Sequence, residues 1–281
     1  MHICLIMDNP ETPRHPVIGA ALRKLSVHHT VRLLDVRGLT NVQSLEQEQL
    51  NPQADLYLLK SHAPQALDLA SQLEARGAQV INSWASSVAC QDRVLMTQRM
   101  TRAGLPWPDS FAFSSLQELL SQHDLLVDFA FPLIIKSHYS HRGDLVSKID
   151  TLEELQALAP QWASEPIVLQ KFAENDGWDI KLWVIDQHIF AARRRAFLEP
   201  GTSKEDVVIP SEELPQEWGE IVHEIGRIFD LQLFGVDLLM SDDGPIIVDV
   251  NSFPGFRGVP GADDALVALV ERLNQERGVN P

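Results

Sequence analysis

Along the first hundred residues, short apolar runs alternate with segments whose apolar residues recur at helical spacing. These patterns predict four strands, His2–Met7, Val31–Val36, Ala54–Leu59 and Ala78–Ile81, and two helices between them, Val17–Leu25 and Ala66–Leu73. A repeated strand–helix order is typical of a parallel sheet with helices on its faces. A longer helical pattern follows at Ser83–Ala103, and Gly104 with the prolines after it predicts its end.

From Pro106 onward the pattern favours short strands joined by turns. The middle of the chain predicts strands Ser110–Phe113, Pro132–Lys136, Leu145–Ile149 and Ile167–Phe172, with helices Ser115–Leu120 and Thr151–Leu158. The last third predicts hairpins Ile180–Ile185 with His188–Arg194 and Leu233–Met240 with Pro245–Val250, and helices Leu214–Phe229 and Ala262–Arg277. We therefore expect an α/β part followed by an α+β part.

The length of 281 residues is typical of two or three compact units. Where the pattern changes, we predict three domains, at residues 1–84, 85–172 and 173–281. No apolar run is long enough to span a membrane. The N-terminus lacks the basic start and long apolar stretch of a secretory signal, so we expect a cytoplasmic protein. Cys4 and Cys90 lie in apolar segments and are expected to be buried thiols.

The charge distribution indicates which ligands suit the chain. A net charge of −16 argues against nucleic acid as a partner, because the phosphate backbone would be repelled. Cations nevertheless concentrate in the middle of the chain: Lys136, His138, His141, Arg142, Lys171, Lys181 and Arg193 to Arg195. This concentration favours a pocket for phosphate or carboxylate groups, with ordinary surface charge as the alternative.

Acids inside apolar strands near the C-terminus suggest a metal site. Asp249 and Asn251 lie two residues apart and project from one face of their strand. The turn Ser241–Gly244 predicts a hairpin that brings Asp237 opposite them. These oxygen donors suit Mg²⁺, with Mn²⁺ as an alternative ion. The competing interpretation is that each acid caps a strand end or pairs with an arginine.

Two further segments suggest a nucleotide site. Lys136 ends an apolar strand, where its ammonium can meet phosphate, although it could also extend to water. The strand that ends in Gln170, Lys171 and Phe172 leads into a connection whose backbone groups could bind an adenine edge. Lys181 comes from the next strand and is expected to enter the same cleft.

In their order along the chain, these segments resemble the ATP-grasp superfamily. Residues 131–136 resemble its phosphate-binding strand, residues 169–172 its adenine hinge, and residues 234–239 with 248–255 its metal strands. The resemblance implies an ATP-grasp fold with an N-terminal pre-ATP-grasp domain, and central and C-terminal domains that clamp ATP. It also implies a nucleotide contact for Arg93, where many members have lysine. RimK-type glutamate ligases and inositol trisphosphate kinases are the most similar families.

The sequence departs from the superfamily in three places. The loop after Lys136, residues 137–144, has only Gly143 where a glycine-rich loop is usual. Lys171 stands where an acid is usual, and Arg93 keeps the charge of a lysine without its geometry. Residues 195–210 also differ from the substrate segment of the ligases.

The resemblance implies an ATP-dependent ligase that joins a small carboxylate to an amine or thiol through an acylphosphate. Lys181 and Arg193 would then steady the transferred phosphoryl group together with Lys136, and Arg195 and Arg257 would hold a substrate carboxylate. A kinase acting on inositol or another polyol, and a nucleotide-binding protein without turnover, are the alternatives. Homo-oligomerisation is left open by the sequence.

Overall fold

The structure of the protein is a computed structural model that describes residues 1–38, 53–122, 129–140, 144–195 and 207–279. The N-terminal part contains β1 His2–Met7, α1 Pro16–Leu25, β2 Thr30–Asp35, β3 Leu56–Lys60, α2 Pro64–Ala75 and β4 Gln79–Ile81. The strands form a parallel sheet in the order β2–β1–β3–β4. The predicted parallel sheet is thus confirmed, and β1 and β3 are mostly apolar and buried, as expected for strands that have helices on both faces.

The predicted single helix over residues 83–103 is wrong, because it is divided into α3 Trp84–Ala89 and α4 Arg93–Arg102. Asp92 causes the division. Its carboxylate accepts hydrogen bonds from the backbone N–H groups of Val94 and Leu95 at 3.0 and 2.9 Å. An aspartate that caps a new helix in this way takes extended backbone angles, so the previous helix ends before it.

The central part contains β5 Ser110–Phe113, α5 Leu116–Ser121, β6 Leu133–Ser137, β7 Val146–Ile149, α6 Leu152–Ala157, α7 Ala159–Trp162 and β8 Ile167–Lys171. Its strands form an antiparallel sheet in the order β5–β8–β6–β7. All four predicted strands are present within one or two residues of the predicted bounds. Lys136 lies near the end of β6, as the sequence predicts.

The C-terminal part contains β9 Trp178–Ile185, β10 His188–Arg195, β11 Val207–Ile209, α8 Gln216–Phe229, β12 Leu233–Ser241, β13 Gly244–Ser252 and α9 Ala262–Val279. Its antiparallel sheet has the order β11–β10–β9–β12–β13. Both predicted hairpins are present. The short edge strand β11 had no predicted counterpart.

The N-terminal and C-terminal sheets share one hydrophobic core. Buried residues of β1 and β3, such as Leu5 and Leu58, pack with Trp183 of β9, Leu233 of β12 and the apolar face of α9. Asn82 reinforces this contact through hydrogen bonds. Its amide nitrogen donates to the carbonyl of residue 233, and its amide oxygen accepts from the backbone N–H groups of residues 232 and 233. The central sheet has a separate core. In the described ranges, no helix has the length and apolar character needed to cross a membrane.

Candidate nucleotide and metal site

A cavity of about 730 Å³ lies between the central and C-terminal sheets. Seven of the residues singled out from the sequence line it: Arg93, Lys136, Gln170, Lys171, Phe172, Asp237 and Asp249. They come from α4, β6, β8 and the β12–β13 hairpin, which are distant from one another in sequence. The fold therefore brings the predicted phosphate, adenine and metal residues around one space.

Asp237 and Asp249 are direct cross-strand partners on β12 and β13. The amide of Asn251 donates a hydrogen bond to Asp249 Oδ2 at 3.0 Å, so all three side chains are on one face of the sheet. Like charges directly opposite each other on a sheet destabilise it unless a cation lies near. In the described ranges, no three His, Cys, Asp or Glu side chains form a metal-binding group. The set here has two carboxylates and one amide.

One carboxylate oxygen of Asp237 is buried without a hydrogen bond from a described residue. Lys181 Nζ donates to Asp237 Oδ2 at 3.1 Å. Oδ1 is nearer, 2.8 Å from the same nitrogen, but it is buried and accepts no well-aligned hydrogen bond from a described residue. Burial raises the pKa of Asp237, Lys181 opposes this shift, and the charge of Asp249 adds to it. A buried carboxylate oxygen beside a second carboxylate fits Mg²⁺, which prefers such oxygen donors.

A β-bulge connects the metal strands to Lys136. The pairing of β12 with β13 shifts after Asp237, so Val248 has no partner on β12. The Val248 carbonyl accepts a hydrogen bond of 2.9 Å from Lys136 Nζ, across the cleft. Bulges often occur beside active sites, where they redirect backbone groups. Here the bulge holds the ammonium of the central sheet against the carboxylate strand.

Lys136 is a buried cation that lacks a direct carboxylate partner among the described residues. It is 8% exposed, and burial lowers its pKa to about 8. The charge of Asp249 acts in the opposite direction, and the charge of Arg93 adds to the lowering. An ammonium held in this way would be stabilised by a phosphate in the cavity.

Arg93 has a structural role and one unused donor. Its Nη1 donates to the Ser137 carbonyl at 2.7 Å and lies 2.8 Å from Asp144 Oδ2. Its Nε is buried and has no hydrogen-bond partner within the described ranges. His138, one of the cations concentrated in the middle of the chain, contacts the Asp92 carboxylate at 2.9 Å. Residues 141–143 of this loop lie outside the described residues.

The predicted adenine hinge includes one buried and two more exposed side chains. Gln170 is buried, and its amide donates to Ser110 Oγ at 3.0 Å. Lys171 is exposed, and Phe172 lies under Lys148, whose Nζ is 4.9 Å from the ring centroid. Lys148 also lines the cavity, although the sequence did not single it out. Lys148 Nζ also lies 2.6 Å from Asp150 Oδ1, and a lysine two residues from an acid gives no specific sequence signal of a ligand site.

Arg193 is not among the described residues that line this cavity. Cross-strand pairing places Lys181 with Asp237 on one side and with Ala192 on the other, so these residues share a face. Arg194, two positions from Ala192, shares that face, and its charge lowers the pKa of Asp237. Arg193 projects from the opposite face, over the ring of Trp178 at 5.0 Å. Arg193 therefore lies on the face opposite Lys181 and Asp237, which does not support the expectation that it steadies the phosphoryl group together with Lys181.

Arg195 and Arg257 are the two residues that were expected to hold a substrate carboxylate. The backbone of Arg195 pairs with Trp178 in the sheet, but its side chain lies outside the described residues. Arg257 is exposed in the segment after β13, on the side of the N-terminal sheet, where its charge acts on His15.

Comparison with known proteins identifies the family. Residues 90–267, more than half of the chain, match the RimK-like ATP-grasp domain. The chain belongs to the RimK-like ATP-grasp family. The residues that line the cavity between the two sheets lie within the matched range.

Curated relatives of this RimK-like ATP-grasp protein are synthases and ligases. Human N-acetylaspartylglutamate synthase A is 23% identical over 224 residues, which cover 75% of this chain and 57% of that protein. A probable alpha-L-glutamate ligase 1 of Hahella chejuensis (strain KCTC 2396) is 28% identical over 222 residues, 73% of this chain and 71% of the ligase. The chain thus spans little more than half the length of the human synthase.

Solved structures confirm the ATP-grasp fold. A RimK domain protein ATP-grasp from Sphaerobacter thermophilus DSM 20745 superposes with a TM-score of 0.72 at 16% identity, over 96% of this chain and 100% of that one. The ATP-grasp ligase PsnB, complexed with minimal precursor, Mg and ADP, gives a TM-score of 0.65 at 16% identity, over 97% and 98% of the chains. The fold expected from the sequence is therefore confirmed.

Proposed function

We propose that the protein is an ATP-dependent ligase that joins a carboxylate to an amine. The observation that carries this proposal is the pair Asp237 and Asp249, facing each other beside Lys136 in a cavity of a RimK-like ATP-grasp domain. The names of the relatives, synthases and ligases that form glutamate-containing products, support a glutamyl or similar amide product.

In the proposed reaction, a carboxylate oxygen attacks the γ-phosphorus of ATP. The bond to the β,γ-bridging oxygen breaks, ADP leaves, and an acylphosphate forms. The amine nitrogen then attacks the acyl carbon, the bond from that carbon to the phosphate oxygen breaks, and the nitrogen loses a proton. No side-chain nucleophile is needed, so the chain contributes mainly position and charge.

The residues of the cavity have distinct proposed roles. Lys136 and the free Nε of Arg93 bind phosphate oxygens, and Gln170, Lys171 and Phe172 surround the adenine. Lys181 and Arg194 steady the transferred phosphoryl group from the C-terminal sheet. Asp237, Asp249 and Asn251 would hold Mg²⁺, which offsets phosphate charge when it is bound.

A substrate matrix tests the proposal. ADP formation should require ATP, Mg²⁺, one of a panel of acids and one of a panel of amino acids together. Hydroxylamine added in place of the amine should give a hydroxamate, because it intercepts an acylphosphate. A phosphorylated polyol in place of an amide would support a kinase. ADP formation that never depends on an acid would contradict the ligase assignment.

A further inference from the structure

A second cationic group lies outside the nucleotide cavity, where the N-terminal sheet meets the segment after β13. Lys60, at the end of β3, donates a hydrogen bond of 2.7 Å from Nζ to the Phe253 carbonyl. His62 donates from Nε2 to the Ser252 carbonyl at 2.9 Å. These contacts hold the segment that directly follows Asn251. The N-terminal domain therefore reaches the strand that carries the proposed metal ligands.

His15 directs a hydrogen-bond donor at the same segment. Its Nδ1 faces the backbone N–H groups of Val17 and Ile18, at 3.3 and 3.4 Å, as the cap of α1. A neutral imidazole with an accepting Nδ1 has its proton on Nε2. That nitrogen would be 3.8 Å from a Cβ placed on Gly255. Because residue 255 is a glycine, the space in front of the donor stays open.

Arg257 completes the group. It is exposed and forms no ion pair with a described residue. Burial lowers the pKa of His15, and the charges of Arg257 and Lys60 lower it further, so both cations lie close to this ring. Burial also lowers the pKa of Lys60 to about 8, and among the described residues the exposed Asp8 is the acid that opposes this shift. The group therefore has more positive charge than its described neighbours neutralise.

We propose that Lys60, His15 and Arg257 bind a carboxylate of a substrate at the end away from the reacting group. This inference rests on the proposed ligase function, because it assigns the other end of a substrate whose reacting end lies near Asp249. Phe253 is four residues beyond Asp249, so their Cα atoms are at most about 14 Å apart. An amino acid or a small dicarboxylate, together with the reach of these side chains, covers such a distance.

The chemistry of the three side chains selects a carboxylate. A guanidinium binds the two oxygens of a carboxylate as a planar fork, and an ammonium and an N–H add further donors. The carboxylate has two sources in a ligase: a second carboxylate of the acid that is activated, or the α-carboxylate of an amino acid that supplies the amine. Neutral analogues of either substrate would lose this contact.

Binding without turnover tests the site. Calorimetry would titrate succinate, neutral succinamide and glutamate into the full chain with a non-hydrolysable ATP analogue and Mg²⁺. We expect wild type to bind a carboxylate probe more tightly than succinamide. Arg257→Gln should weaken the binding of that carboxylate probe about tenfold, which is the loss typical of one charge-assisted contact. Arg257→Lys should restore part of the lost affinity. If Arg257→Gln weakens the binding of succinate only, the bound carboxylate belongs to the acid that is activated. If it weakens the binding of glutamate only, the carboxylate belongs to the amino acid that supplies the amine.

Two variants make the result specific. Arg102→Gln removes another exposed arginine, at the end of α4, that forms no ion pair with a described residue, and it should bind like wild type. Lys60→Met removes the second cation and should weaken the same probe as Arg257→Gln. Equal binding of both carboxylates by wild type, Arg257→Gln and Lys60→Met, or no carboxylate binding by wild type, would overturn the proposal. Carboxylate binding that depends on Arg257, in a protein without ligase turnover, would refute only the ligase function.

Discussion

Asp249 pairs with Asp237 on the neighbouring strand, and its carboxylate accepts a hydrogen bond from the Asn251 amide at 3.0 Å. Asp249→Asn keeps the size of the side chain and an acceptor for that amide but removes one negative charge. We expect substrate-dependent ADP formation to fall by at least about 10²-fold, because a proposed carboxylate ligand of Mg²⁺ is lost. Steady-state ADP formation at saturating ATP and Mg²⁺ measures the effect.

The matched control is Asp243→Asn, which changes an exposed acid in the turn between the same two strands. It should retain wild-type turnover. A folded Asp249→Asn protein, as judged by circular dichroism, with near-wild-type turnover would contradict the metal assignment.

The lowered pKa of Lys136 should make the stability of the protein depend on pH. Its pKa is lowered from 10.5 to about 8, so the unfolded chain binds more protons than the folded protein between these values. Stability should therefore rise with pH across this window, by up to about 3 kcal/mol from this residue. Lys136→Met should lose that part of the rise and should also weaken ATP binding, since the phosphate contact is removed.

Urea unfolding at pH 7.5 and at pH 9.5 measures the rise, and calorimetry measures ATP affinity. Lys60, whose pKa is also about 8, contributes equally to both proteins and so cancels in the comparison. The same pH response in Lys136→Met and wild type would show that this lysine titrates normally.

At the scale of single residues, strand periodicity was enough to group Asp237, Asp249 and Asn251, because each lies in an unbroken apolar strand. It was not enough to choose among three consecutive arginines. The face on which each arginine lies depends on which residue of β10 pairs with Lys181. The two-residue turn of the predicted hairpin already fixes that register, so this signal was present in the sequence but was not used.

Among the elements, the junction between α3 and α4 controls the loop after Lys136. Asp92 caps α4 and also contacts His138 at 2.9 Å. Asp92→Ala should lower the free energy of unfolding by about 1 kcal/mol or more, since both the cap and this contact are lost. Urea denaturation measures the change.

Asp92→Asn is the informative control, because asparagine caps helices as well as aspartate does but lacks the charge. It should retain most of the stability. An equal loss in both variants would assign the effect to the contact with His138 and not to the cap.

Element boundaries show where sequence patterns stop being informative. Residues 83–103 have continuous helical spacing, and a side-chain cap inside that pattern leaves no signal in hydrophobicity. The bulge at Val248 is hidden for a similar reason, because an extra residue between two apolar strands does not change their composition. Both features adjoin the site, so the sequence predicts the residues of the site better than the contacts that position them.

At the scale of the whole molecule, the buried residues are unevenly shared among the sheets. The core common to the N-terminal and C-terminal sheets has 24 buried residues in the described ranges, and the separate core of the central sheet has nine. A smaller independent core opens at a lower free energy than a larger shared one. Native-state hydrogen exchange should therefore show that the amides of β6 and β8 exchange through one shared opening. The free energy of that opening should be lower than the free energy of opening for β1, β9 and β12.

Two identical substitutions separate the cores. Leu169→Ala, in β8, and Leu233→Ala, in β12, each remove a fully buried side chain and should each cost about 2–5 kcal/mol. Leu169→Ala should lower the opening energy of the central sheet alone. Leu233→Ala should lower the opening energy of β1 and β9 together, because the N-terminal and C-terminal sheets share the core that contains Leu233. A uniform response to either change would mean that the chain unfolds as one unit, and the central sheet could not then close over a nucleotide independently of the other two.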